Sequence, residues 1–150
     1  MTIDAFRALA GGAVARLLIE ADAIQVSGDE QPFFLAAGWA SPVYVDCRLL
    51  IGDAQRRREI TDLAVAALQR EPSIEFDVVA GAETAGIPWA SLIADRLSMP
   101  LRYVRKGPLG IGRNAQVEGG TVEGGRVLLV DDLTTDAGSK ASFTRGLRPP

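Results

Sequence analysis

Three short, mostly apolar runs constrain what this chain can fold into: FDVVA at 76–80, LRYV at 101–104 and RVLLV at 126–130. Each is too short for a helix and long enough for a buried strand. Helical patterns lie between and around them. Residues 53–70 carry Ile60, Leu63, Ala64, Ala67 and Leu68 as one stripe. Residues 84–98 place Ile87, Ala90, Ala94 and Leu97 on one face, with Pro88 near the start. Residues 138–148 begin another helix. Buried strands alternating with helices predict an α/β fold whose open parallel sheet is covered on both faces. Three parallel strands make a small sheet with an exposed edge, and the sequence reaches Pro150 directly after one helix start. Further strands are therefore expected to be missing, or a partner to be needed.

Upstream, Phe6, Leu9, Ala10, Ala13 and Leu17 predict an amphipathic helix over 3–23, weakened by Gly11 and Gly12. Residues 33–35 and 42–45 predict two short strands around a turn at Gly38. Seven glycines within 107–125 predict a long functional loop. Trp39 and Trp89 are expected to be packing residues.

Composition excludes several functions. The net charge is −3 with both signs dispersed, which is wrong for a general nucleic-acid binder or an anionic-membrane patch. No apolar stretch approaches the roughly 20 residues that span a bilayer, and the N-terminus lacks the pattern of a signal peptide. Cys47 is the one cysteine, so no internal disulfide forms, which is compatible with a reducing compartment. The absence of histidine rules out histidine catalysis and histidine metal sites.

The chemistry-bearing stretch is VLLVDDLTTDAGSK at 127–140. Asp131 and Asp132 follow a buried strand, where ligands of parallel sheets bind. Paired carboxylates there can accept hydrogen bonds from the two hydroxyls of a ribose. The turn beyond them is small, hydroxyl-rich and opens onto a helix, which favours a phosphate. The acid pair alone is equally compatible with a strand end and helix caps, and metal or phosphoacceptor chemistry is a further alternative. The whole string favours a ribose 5-phosphate ligand.

This string resembles the phosphoribosyl pyrophosphate motif of type I phosphoribosyltransferases, with Thr135-Asp136-Ala137-Gly138-Ser139 in place of the usual Thr-Ala-Gly-Thr. Three more segments follow the order of the orotate phosphoribosyltransferase family. FFLAAGWASPVYVDCR (33–48) resembles its N-terminal substrate segment, GAETAGIP (81–88) its pyrophosphate-side loop, and YVRKGPLGIGRNAQVEG (103–119) its strand and mobile catalytic loop. The resemblance implies a single type I phosphoribosyltransferase-like domain over 1–150, with an N-terminal helix and hood at 1–52 and an α/β core at 53–150. It implies transfer of ribose 5-phosphate from phosphoribosyl pyrophosphate to orotate with Mg²⁺, in a cytoplasmic homodimer that binds neither nucleic acid nor membrane.

By the same resemblance, Asp131, Asp132 and Lys106 are the catalytic residues, and Asp131 and Asp132 position the ribose and its hydrated metal. No side chain is implied as a direct metal ligand, because Mg²⁺ is held through substrate and water. Thr134, Thr135, Asp136, Ala137, Gly138 and Ser139 cradle the 5-phosphate, with Thr135 also touching orotate, and Leu133 is a further substrate-binding residue. Tyr44 and Val45 lie against orotate. Thr84 and Ala85 line the pyrophosphate loop, and Arg105 and Lys106 reach the pyrophosphate. Three positions depart from the family pattern: Ala36 stands where a Lys is usual, and Leu109 and Ile111 stand where the mobile loop supplies a Lys and often a His. Arg113 is a candidate substitute. These departures keep two other readings open: a catalytically weak or inactive homologue that still binds phosphoribosyl pyrophosphate, and a truncated product. A type I enzyme for a purine or another base is a further alternative, against which SPVYVD argues.

Overall fold

The computed structural model describes residues 1–28, 31–35, 38–108, 110, 115–135 and 138–148. The chain divides into two compact units, Met1–Leu63 and Ala64–Pro150.

In the first unit, α1 (Ile3–Glu20) starts at Thr2, whose Oγ1 accepts the Ala5 N–H at 3.3 Å. It stops three residues short of the expected end: Ala21 caps it, and Asp22 turns the chain at φ 50°. Gly11 and Gly12 lie inside α1, and a Cβ at either would meet nothing within 4 Å, so no close approach requires glycine there. A strand absent from the sequence reading follows, β1 (Ile24–Val26). Then come β2 (Phe33–Phe34), β3 (Ala40–Ser41) and β4 (Val43–Val45). The expected pair of strands around Gly38 resolves into two separate pairings. β2 pairs with β3, while β4 pairs with β1, matching Ile24 to Val45. Trp39 is 67% exposed, so its expected packing role is corrected. A short α2 (Leu49–Gly52) buries Leu50, and α3 (Ala54–Gln69), whose residues from Ala64 onward belong to the second unit, fulfils the stripe read over 53–70.

The second unit carries the α/β architecture expected. β5 (Val78–Ala82), α4 (Gly86–Leu97), β6 (Leu101–Val104), β7 (Val117–Glu118), β8 (Val127–Val130) and α5 (Gly138–Leu147) follow in order. The sheet order is β7-β6-β5-β8. β6 and β8 run parallel to the central β5, with Val79 opposite Leu101 and Leu128. β7 is an antiparallel edge strand inside the stretch read as loop, pairing Val117 with Val104. The glycine count masked it, yet Gly119 (φ 92°) and Gly120 (φ 126°) serve to turn the chain just after it.

Every residue of β5 is buried. The strand begins two residues later than read and runs through Gly81, because glycine there allows α4 to approach rather than ending the strand. A Cβ on Gly81 would stand 2.6 Å from the Ile87 Cα. Alternation along β5 assigns the two faces. Val79 packs with Ala90, Ile93 and Ala94 of α4 and with Ala64, Val65 and Leu68 of α3. Ala82 faces the other way and packs with Val104 and the 1% exposed Phe143 of α5. At the amino end of the sheet, Arg126 makes a two-point ion pair with Asp77, which draws the Asp77 carboxyl down to about 2. No helix among the described residues is long and apolar enough to cross a membrane.

Candidate functional site

Helices on both faces of the sheet leave the carboxyl ends of its parallel strands open, and the polar residues of the second unit gather there. At the end of β8, Asp131 and Asp132 are both half-buried. Asp131 uses both carboxylate oxygens: Oδ1 accepts the Asp132 N–H at 3.0 Å, and Oδ2 lies 2.5 Å from the Lys140 ammonium. Lys140 also donates to the Leu133 carbonyl. Burial first, then the hydrogen bond and like charge of Asp131, push the Asp132 carboxyl above its ordinary 3.8.

The 131–135 turn leads towards the amino end of α5. Leu133, Thr134, Thr135, Gly138 and Ser139 are exposed, as a ligand-facing rim requires. Asp136 and Ala137, expected in the same cradle, lie outside the described residues. So do Ala36, Leu109, Ile111 and Arg113, the positions of the departures and the candidate substitute.

The end of β5 approaches this turn. Glu83 and Thr84 are joined by a cis peptide, and Ala85 caps α4 without a side-chain hydrogen bond. The contact with β8 is direct. A Cβ on Gly86 would sit 2.4 Å from the Val130 carbonyl oxygen and 3.0 Å from the Asp131 Cα. Glycine at 86 thereby brings the amino end of a 12-residue helix against the acid pair, where its dipole and free N–H groups favour an anion.

β6 closes the group. The Glu83 N–H donates to the Val104 carbonyl at 2.9 Å, and the Lys106 N–H donates back to Glu83 Oε2 at 3.0 Å. Arg105 lies 3.5 Å from Glu83 and 3.4 Å from Glu118, donates to the Tyr103 hydroxyl at 3.1 Å, and sits 5.3 Å from the Tyr103 ring centre. Gln116 donates to the Arg105 carbonyl at 3.0 Å, and the Ser142 hydroxyl to the Lys106 carbonyl at 3.0 Å. The Lys106 side chain is exposed and forms no ion pair among the described residues. The two neighbouring cations thus differ: Arg105 is held by two carboxylates, while Lys106 presents its charge to solvent.

Thr84, Ala85, Arg105, Lys106, Asp131, Asp132, Leu133, Thr134, Thr135, Gly138 and Ser139 all lie at this one edge. Tyr44 and Val45 belong to the first unit. There, Val45 pairs with Ile24, and the Tyr44 ring lies 5.6 Å from Phe33 while its hydroxyl accepts from Arg48 at 3.1 Å. Sequence reading missed Glu83, Glu118 and the role of Lys140. A charge ending a wholly buried strand was the signal for Glu83. A cation in the first turn of a helix, the end its dipole disfavours, was the signal for Lys140.

No group of three or more metal-ligating side chains occurs among the described residues. The acid pair still fits Mg²⁺, which commonly keeps several waters and binds one or two carboxylates together with substrate phosphates.

Residues 53–148 match the family model of the phosphoribosyl transferase domain. The orotate phosphoribosyltransferase of Sinorhizobium medicae is 52% identical over 136 residues, which are 90% of this chain and 58% of that relative. That of Cereibacter sphaeroides is 52% identical over 135 residues, 89% of this chain and 58% of the relative. The chain thus spans 58% of the length of these two relatives. Among solved structures, orotate phosphoribosyltransferase from Aeropyrum pernix has a TM-score of 0.69 at 32% identity, covering 89% of this chain and 71% of that one. Leishmania donovani UMP synthase has a TM-score of 0.72 at 28% identity, covering 89% of this chain and 27% of that one.

Proposed function

Because the chain belongs to the orotate phosphoribosyltransferase family of type I phosphoribosyltransferases, we propose that it transfers ribose 5-phosphate from phosphoribosyl pyrophosphate to orotate, giving orotidine 5′-monophosphate and pyrophosphate. The observation that carries this reading is the meeting of the acid pair, the hydroxyl-rich turn and the α4 amino end, brought together by Gly86.

In the proposed reaction, the bond from the ribose C1 to the pyrophosphate oxygen breaks, a bond from C1 to the orotate nitrogen forms, and the proton of that nitrogen is released to the pyrophosphate or to water. Positive charge grows on the sugar and negative charge on the leaving group. Residues 133–139 bind the 5-phosphate through backbone N–H groups and the hydroxyls of Thr134, Thr135 and Ser139. Asp132 accepts the ribose hydroxyls, beside an Asp131 already committed to Lys140, and the nearby carboxylates favour positive charge on the ring. The pyrophosphate lies at Thr84 and Ala85, against the α4 amino end, where Lys106 neutralises the charge that develops. The acid pair would hold a Mg²⁺ through water, and that ion would supply further neutralisation of the leaving group. Tyr44 and Val45 are assigned to the orotate side. Homodimerisation and a cytoplasmic location complete the proposal.

The test is conversion of orotate and phosphoribosyl pyrophosphate to orotidine 5′-monophosphate in the presence of Mg²⁺. Equimolar product and pyrophosphate are expected. A folded, dimeric sample without turnover would overturn the reading.

A further inference from the structure

Lys140 is a cation placed where the helix dipole disfavours one, in the first turn of α5. Its side chain folds back over the start of the turn instead of extending into water. The ammonium lies 2.5 Å from Asp131 Oδ2 and donates to the Leu133 carbonyl. The pair is sheltered, with side-chain exposures of 24% for Lys140 and 16% for Asp131. Two contacts of one ammonium thereby tie the end of β8 and Leu133 to the opening of α5. One side chain thus reaches from the first turn of α5 back to Leu133 and Asp131.

The second consequence concerns the acids. Asp131 has one oxygen on the Asp132 N–H and the other on Lys140, whereas Asp132 has no cation beside it among the described residues. The two adjacent carboxylates therefore have different tasks. We propose that Lys140 is a positioning residue of the ribose-phosphate site. It fixes Asp131 as a structural anion, holds the start of the turn at Leu133, and leaves Asp132 as the acid offered to the ribose hydroxyls. This rests on the phosphoribosyltransferase reading above and adds to it the positioning role of Lys140.

The experiment compares the unaltered protein with Lys140→Met and Lys140→Arg, titrating each by calorimetry with ribose 5-phosphate, phosphoribosyl pyrophosphate and inorganic pyrophosphate in Mg²⁺. Lys140→Met keeps the aliphatic stem and removes the charge. It is expected to weaken both ribose phosphates by about tenfold or more, the effect of losing charge-assisted hydrogen bonds. Pyrophosphate, on the Thr84 and Lys106 side, should bind unchanged. Lys140→Arg should return ribose phosphate affinity to within about threefold, since it restores the charge with a different reach. In turnover, the Met variant should raise the KM for phosphoribosyl pyrophosphate and leave that for orotate in place. Lys140→Gln, able to donate to Leu133 without charge, is the second variant if Met impairs folding, and the same ordering of ligands is expected of it. Equal affinity of the unaltered and uncharged proteins for ribose 5-phosphate would overturn the proposal, as would equal weakening of all three ligands. If the unaltered protein binds neither ribose phosphate, the parent reading falls, and this one falls with it.

Discussion

The Glu83 carboxylate accepts the backbone N–H of Lys106 at 3.0 Å, so the end of β5 fastens the end of β6. Its other oxygen lies 3.5 Å from Arg105. One side chain thus sets both the backbone that carries Lys106 and the guanidinium beside it. Glu83→Gln keeps an acceptor for the N–H and loses the ion pair. Partly exposed pairs of this length contribute about 0.2–1 kcal/mol, so pyrophosphate affinity should fall by less than about fivefold. Glu83→Ala also removes the acceptor of the Lys106 N–H, an exposed bond whose net contribution is about 0.5–1.5 kcal/mol, so the loss should be larger than in the Gln variant and reach up to about tenfold. Calorimetric titration with pyrophosphate checks the order.

Gly86 is required by contact rather than by backbone angle. A methyl group there would meet the Val130 carbonyl at 2.4 Å. Gly86→Ala must push α4 away from β8 or displace Asp131, and overpacking of this kind costs about 1–3 kcal/mol. Chemical denaturation should register that loss, and phosphoribosyl pyrophosphate affinity should fall with it, because the displaced residues belong to the site.

Asp132 is held at a cost to the ligand-free fold. Its carboxyl is raised above 3.8 by burial and by Asp131, so the folded chain binds its proton more tightly than the unfolded chain does. Stability then declines as pH rises from below 3.8 through the raised folded value, and the penalty is complete at neutral pH. Asp132→Asn should therefore raise the melting temperature at pH 7. The gain should vanish near and below pH 3.8, where the acid is protonated in both states. The same variant should bind phosphoribosyl pyrophosphate more weakly, and thermal melts across pH beside a titration test both halves.

The sequence disclosed the core because its strands are apolar and its helices striped, and both follow from local periodicity. The position of the Asp131-Asp132 turn at a strand end was legible for the same reason: an apolar run stops there at two acids and a hydroxyl-rich stretch. What escaped was set by contacts distant in sequence. β7 is two residues among glycines and exists only through pairing with Tyr103 and Val104. β1 is exposed along its length and is defined by β4, across nearly twenty intervening residues. Gly81 looked like a strand terminator until Ile87 was seen against it. Arg105 and Lys106 read as equivalent cations in sequence. Glu83 and Glu118, more than ten residues away on either side, are what distinguish them.

The claim on which the rest depends is that the end of β8 binds a ribose phosphate through its acid pair. Calorimetric titration of phosphoribosyl pyrophosphate with Mg²⁺ into the unaltered protein and into Asp131→Asn/Asp132→Asn tests it most directly, with circular dichroism to verify the fold of both. Saturable binding that weakens by about tenfold or more in the double variant, as expected for losing hydrogen bonds to charged acceptors, is the predicted result. No saturable binding by the folded protein, or equal affinity in the two, would contradict it.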